Sequence, residues 1–172
     1  AFCAVRPPGH HAERSKAGGF CFFNNVAIAA KYALERHGLK RVAVVDFDVH
    51  HGNGTEDILA GDDRVLMVSF FQHPFYPHSG TEQPAANMLN LPVPAYTKGM
   101  EVRDMIETYW VPRLEAFKPE MIFISAGFDA HPGKSQSALL CSPGFGGQFD
   151  SGFASTGIPV GHYCCGRNRQ GS

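Results

Sequence analysis

Two acids and a histidine stand on alternate positions at the end of an apolar run in VAVVDFDVHHGN, residues 42–53. Side chains along a strand alternate between faces, so Asp46, Asp48 and His50 are expected on one face while Val45, Phe47 and Val49 pack the other. In open α/β sheets ligands sit beyond the carboxyl ends of the strands, which is where this run breaks into His-His-Gly-Asn-Gly. An Asp-x-His pair at such a place is half of a metal site. The competing reading is an ion-paired strand end with one satisfied histidine.

Upstream, RPPGHHAE, Arg6 to Glu13, places two adjacent histidines after a stiff turn. Proline locks φ and glycine reaches conformations other residues avoid, so His10 and His11 can be aimed with little backbone freedom. Imidazole titrates near neutrality, which suits the pair to proton transfer or to metal ligation. Downstream, MIFISAGFDAH carries another apolar strand, about residues 120 to 126, that delivers Asp129 beyond its end. With Asp48, His50 and Asp129 as ligands, a divalent metal has three protein contacts and an open position. Zinc suits one nitrogen and two oxygen donors, and iron(II) fits the same set.

Taken together, RPPGHHA, GGFCFFNN, VVDFDVHHGNGT and SAGFDAH resemble the metal-dependent histone deacetylase superfamily, which includes acetylpolyamine amidohydrolases and acetoin-utilisation proteins. The match runs from about Ala4 to His131 in the family's order and spacing, and Asn53 after the double histidine is closer to the class II and bacterial branch. The resemblance implies a zinc-dependent hydrolase, with Fe²⁺ as the other candidate metal, that removes acetyl or other acyl groups from lysine side chains or polyamines. Asp48, His50 and Asp129 would be its metal ligands, and a metal there lowers the pKa of bound water toward about 7. His11 would be the main base, passing a proton from water to the leaving amine, and His10 would stabilise charge nearby. Asp46 would bond His10 and Asn53 would bond His11, and because an amide stabilises an imidazolium less than a carboxylate does, His11 should be the easier to keep neutral.

By the same resemblance, Gly18, Gly19 and Phe20 line a narrow tunnel toward the metal, and Tyr76 in HPFYPHSGT forms its opposing wall. Facing rings suit the apolar stem of an acylated lysine or polyamine. Ordinary core packing is the alternative for these aromatics, since the chain has 14 Phe. Ser69, which ends RVLMVS, resembles a position near a structural K⁺.

Composition fits an intracellular, cytoplasmic enzyme domain: 172 residues, 44% hydrophobic, net charge −1. No basic run exists to neutralise phosphates, so no direct nucleic-acid partner is expected, and no apolar stretch has membrane-spanning length. The five cysteines, Cys3, Cys21, Cys141, Cys164 and Cys165, contain no CxxC, which argues against a disulfide scaffold or zinc knuckle.

Asn24 or Asn25 can cap a helix through about His37, its apolar face Val26, Ala29, Ala30, Ala33 and Leu34, with Gly38 as a stop. A helical turn near residues 55 to 60, a strand from Arg64 to Phe70 and a long Pro-rich loop to about Gly99 follow. Val102, Ile106, Trp110, Leu114 and Phe117 mark another helix, bent or divided at Pro112. This alternation predicts an α/β fold, a parallel sheet flanked by helices, and the resemblance specifies the arginase/deacetylase-like arrangement.

Residues 1–131 are therefore expected to be a partial deacetylase catalytic domain, truncated at both ends. Residues 132–172, in which Gly, Ser and Pro make up 18 of 41, are expected to be a divergent tail that cannot complete the sheet. Relatives carry a tyrosine that hydrogen-bonds the substrate carbonyl. This tail, read as a non-homologous ending, holds no clean equivalent, and Tyr163, its one tyrosine, is the alternative for that role. The alternative function is a catalytically impaired fragment or pseudoenzyme that binds metal and acyl-lysine.

Overall fold

A computed structural model describes residues 2–5, 8–129 and 160–165, the last by their backbone alone. Six parallel strands form one sheet: β1 (Phe2–Val5), β2 (Val42–Asp46), β3 (Val65–Gln72), β4 (Met88–Val93), β5 (Met121–Ala126) and β6 (Val160–Cys165). Their order across the sheet is β1-β6-β5-β2-β3-β4. Helices α1 (Asn25–Arg36), α2 (Asn53–Leu59), α3 (Gly99–Met105) and α4 (Val111–Phe117) connect them, with a π-helical segment, Ile106–Trp110, joining the last two.

Strands buried on both faces read as unbroken apolar runs, and β2, VAVVD, and β3, VLMVSFFQ, are buried at every position. On one face Val42, Val44, Val65 and Met67 pack against Val26, Ala30 and Leu34 of α1. On the other Ala43, Val45, Val68 and Ile124 pack against Val102, Trp110 and Leu114. Register then aligns Asp46 with Ser69 on one side and Ser125 on the other, so three neighbouring strands turn polar at one level. All three residues are buried. The site begins at this row.

Helix α1 starts where expected. Asn24 caps it, its side chain accepting from Ala27 N at 3.0 Å, and the chain turns away at Gly38 with φ of +69°. Ala27 joins the buried face beside Val26, Ala30, Ala33 and Leu34, while Ala29 is half-buried. The helical run over residues 99 to 117 divides as expected near Pro112, which has no N–H to give to the preceding turn. The π-helical turn lies immediately before α4, with Pro112 in that helix's first turn.

Three readings change. The metal-site strand ends at Asp46, not His50, because the acids capture the ladder's own donors: Asp48 N donates to Asp46 Oδ1 at 3.1 Å and His50 N to Asp48 Oδ1 at 2.8 Å. Alternation nevertheless persists through the loop, Phe47 and Val49 entering the core with Val45. The Pro-rich loop contains β4, an edge strand whose Pro92 pairs with Phe71, a position where a missing donor is tolerated. The tail contributes β6, which pairs with both β1 and β5, because a strand held by two neighbours needs only a short run of backbone and no alternating pattern.

Asn24 also donates from Nδ2 to Ala12 O and to Thr55 Oγ1, each at 3.1 Å, tying the histidine segment and α2 to the start of α1. Asn24→Ala removes the cap and leaves buried partners unpaired. We expect a loss of about 2–3 kcal/mol, read as a lowered urea midpoint with an unchanged slope.

Candidate metal centre and histidine pair

Beyond β2 the chain delivers Asp48 and His50, and beyond β5 it delivers Asp129. One ligand atom from each lies within 4.8 Å of the other two. His50 Nδ1 is 2.8 Å from Asp48 Oδ1 and 3.6 Å from Asp129 Oδ2, so one imidazole nitrogen faces two carboxylates. Asp48 is buried and Asp129 half-buried. Burial is the largest influence on the Asp48 carboxyl and opposes its charge, but the charge of His10 and the hydrogen bond from His50 outweigh it and hold the pKa below the usual range. This donor set fits a divalent cation, which would neutralise carboxylates that a single shared proton only partly compensates. Space is reserved as well: a Cβ on Gly127, between β5 and Asp129, would lie 1.7 Å from Asp48 Oδ2.

His10 and His11 sit beside this cluster, their rings 4.0 Å apart. The carbonyl of His10 accepts from Gly54 N and Thr55 N at the start of α2, at 2.9 and 3.1 Å, which seats the segment across that helix. Gly54 is required there, since its Cβ would lie 2.3 Å from Ala12 O. His10 Nδ1 donates to Asp46 Oδ2 at 2.9 Å, and its Nε2 is 4.0 Å from Asp48 Oδ2. Burial is the largest influence on His10 and disfavours its charge, yet Asp46 and Asp48 together raise its pKa to about 9. His11 has the opposite balance. Its Nδ1 is 2.8 Å from Asn53 Oδ1, and burial followed by the neighbouring charge of His10 lowers its pKa to about 3. An amide oxygen only accepts, so the His11 proton resides on Nδ1 and Nε2 keeps its lone pair.

Gly18 and Cys21 pair their backbones in a tight turn that carries Gly19, φ +52°, and Phe20, φ +63°, at its tip. Gly19 lies against the His11 ring, where a Cβ would come within 2.2 Å of Cδ2. Phe20 is 75% exposed. Tyr76 makes edge contacts with His11 at 5.1 Å and His50 at 6.2 Å, and its hydroxyl lies 3.8 Å from where a Gly18 Cβ would be. The Gly18 turn and Tyr76 thus face each other over the histidines. Ser69 lies below, its hydroxyl donating to Asn90 Oδ1 at 3.2 Å. Tyr163 falls in β6, and its side chain lies outside the described residues.

Two further participants are not singled out by any spacing or motif in the sequence. Phe75 stacks on His50 at 5.0 Å with an 18° interplanar angle, and only its place beside Tyr76 hinted at it. Glu13 accepts from Asn53 Nδ2 at 2.9 Å.

A family profile described as "Histone deacetylase domain" matches residues 1–152. The chain belongs to the histone deacetylase family. It is 46% identical over 150 residues to Type-2 histone deacetylase 2 of Dictyostelium discoideum, covering 76% of this chain and 9% of that protein. It is 44% identical over 136 residues to the chloroplastic histone deacetylase 14 of Arabidopsis thaliana, covering 76% and 32%. The acetylpolyamine aminohydrolase of Burkholderia pseudomallei superposes with a TM-score of 0.87 at 31% identity, covering 98% of this chain and 51% of that one. The chain therefore spans less than half the length of these two relatives and about half of this solved structure. The arginase/deacetylase-like architecture follows from that superposition together with the parallel sheet.

Within this histone deacetylase domain, Asp48→Ala leaves two of the three converging side chains. Zinc titrated into the chain should bind one equivalent before the change and none after it, by calorimetry and elemental analysis. Retention of one equivalent would remove Asp48 from the ligand set.

Proposed function

We propose that this chain carries part of the active site of a zinc-dependent deacetylase that hydrolyses the amide of an acylated lysine side chain or an acetylated polyamine. The observation that supports it most directly is the convergence of Asp48, His50 and Asp129 within 4.8 Å, beside a histidine pair whose two members have opposite protonation preferences. Asp48, His50 and Asp129 would hold the metal, which when bound supplies Lewis-acid polarisation of the acyl carbonyl and an acidified water. A cation on Asp48 would also draw that carboxylate's charge from His10, leaving Asp46 as the partner that keeps a proton on His10 Nδ1.

His11 does the proton transfer. With Nδ1–H held by Asn53, Nε2 accepts a proton from the attacking water and returns it to the amine nitrogen as the amide C–N bond breaks. The products are a carboxylic acid and a free amine, which exchange a proton to become carboxylate and ammonium. His10, buried against Asp46, places positive charge near the developing negative charge without giving up its proton. Gly19 lets the His11 ring lie close to the tunnel turn, and Phe20 and Tyr76 offer apolar surface to the substrate's methylene stem. Such a stem is shared by lysine and polyamines, and the relatives' names speak of histone and of acetylpolyamine.

The test is turnover of acetyl-lysine peptides and acetylated polyamines by the zinc-loaded protein. His11→Ala should lower turnover by at least about 10²-fold with zinc content kept, and His10→Ala should be milder. Equal losses, or loss of zinc in either variant, would overturn these roles. Stoichiometric zinc with no turnover of any acyl substrate would overturn the enzymatic reading.

A further inference from the structure

We propose that Glu13 is a positioning residue for the His11 imidazole, acting at one remove through the side-chain amide of Asn53. The proposal rests on the deacetylase reading for its use, while its geometry stands alone. Asn53 bridges the two: Oδ1 accepts from His11 Nδ1 at 2.8 Å and Nδ2 donates to Glu13 Oε1 at 2.9 Å.

A side-chain amide has two ends of opposite polarity and nearly equal shape, so what it faces decides its orientation. Turned over, Asn53 would set its oxygen against the Glu13 carboxylate and its NH₂ against His11 Nδ1. That arrangement forces His11 into the other tautomer, with its proton on Nε2 and no lone pair left there for a base. Glu13 can only accept, so it selects the orientation that keeps Nε2 free.

The local backbone is built to hold it. Glu13 N donates to Lys16 O at 2.9 Å, closing a turn. The next residue is pinned to α2, Arg14 N donating to Asp57 Oδ2 at 2.8 Å and Arg14 Nη2 to Ile58 O at 3.1 Å. Because Asn53 is the first residue of that same helix, Glu13 and Asn53 are fixed relative to each other from both sides. Glu13 is half-buried, and a bond to its carboxylate is partly shielded from water.

Two measurements on the full chain test this. In ¹⁵N-histidine spectra, with the His11 signals identified by their absence from His11→Ala, the starting protein should show a proton fixed on Nδ1. Glu13→Ala should show a mixture of tautomers, and so should Glu13→Gln, whose amide offers a donor to a turned-over Asn53 as well as an acceptor to the original one. This readout is independent of turnover, so it holds even if the deacetylase reading fails. In the acetyl-lysine assay, Glu13→Ala should lower kcat about 10-fold with KM within about twofold, and Glu13→Gln, which keeps the size of the side chain but not its acceptor-only character, should lower it too.

The deciding comparison uses Asn53→Asp, which holds His11 Nδ1–H with its own carboxylate and places it against that of Glu13. In that background Glu13→Ala should leave kcat unchanged or raise it. An unaltered His11 signal in Glu13→Ala, or an equal loss of kcat in both backgrounds, would overturn the proposal.

Discussion

Two carboxylates buried two residues apart at the end of a central strand set the terms for everything around them. Asp46 and Asp48 are almost wholly withdrawn from water, where an uncompensated charge is very costly. Their compensation is divided. Asp46 spends one oxygen on the Asp48 amide and the other on His10, while Asp48 turns to His50 and, at longer range, His10. The hydrogen-bonded strand ends there because the acids take the donors that a further ladder would need. The same withdrawal from the ladder lets the chain present Asp48 and His50 toward Asp129 instead of laying them flat in the sheet.

Room for this arrangement comes from backbone without side chains. Gly52 lies where a Cβ would approach Asp46 Oδ2 at 2.5 Å, and Gly127 lies where one would strike Asp48. Glycine is needed at these two places by close approach, not by an unusual turn. The GNG and SAG segments are thus packing requirements of the charge cluster, and their separation in the chain is resolved by the parallel pairing of β2 with β5.

Much of this is legible in the sequence because the chemistry is periodic. The spacing of Asp46, Asp48 and His50, and an apolar strand before Asp129, were enough to indicate which side chains could meet. The two buried faces of the sheet likewise follow from apolar runs bounded by glycine and asparagine. Other features have no periodic signature. Strand β4, MLNLPV, lies at an edge with a proline in it and only partial burial, so it reads as loop until its pairing with β3 is seen. Strand β6 is recognised by its two neighbours and not by its own pattern. Glu13 stands next to the histidine pair in the sequence, yet its partner is 40 residues away, and no spacing rule connects a carboxylate to an amide whose orientation it fixes.

The histidine pair shows why such indirect contacts matter. Two imidazoles with centroids 4.0 Å apart cannot readily both be charged, so whichever holds a proton disfavours it on the other. A symmetric pair would divide the proton between them and define neither an acid nor a base. Asymmetry enters through what each Nδ1 meets, a carboxylate for His10 and an amide for His11. The carboxylate overcomes burial and keeps the charge on His10, whereas the amide fixes the His11 tautomer without supplying a full counter-charge. Pairs whose environments drive their pKa values apart define separate roles. Here one group is held as a resident positive charge by the carboxylates of Asp46 and, at longer range, Asp48, while its neighbour, buried beside that charge and meeting an amide oxygen at Nδ1, is left neutral with a free lone pair.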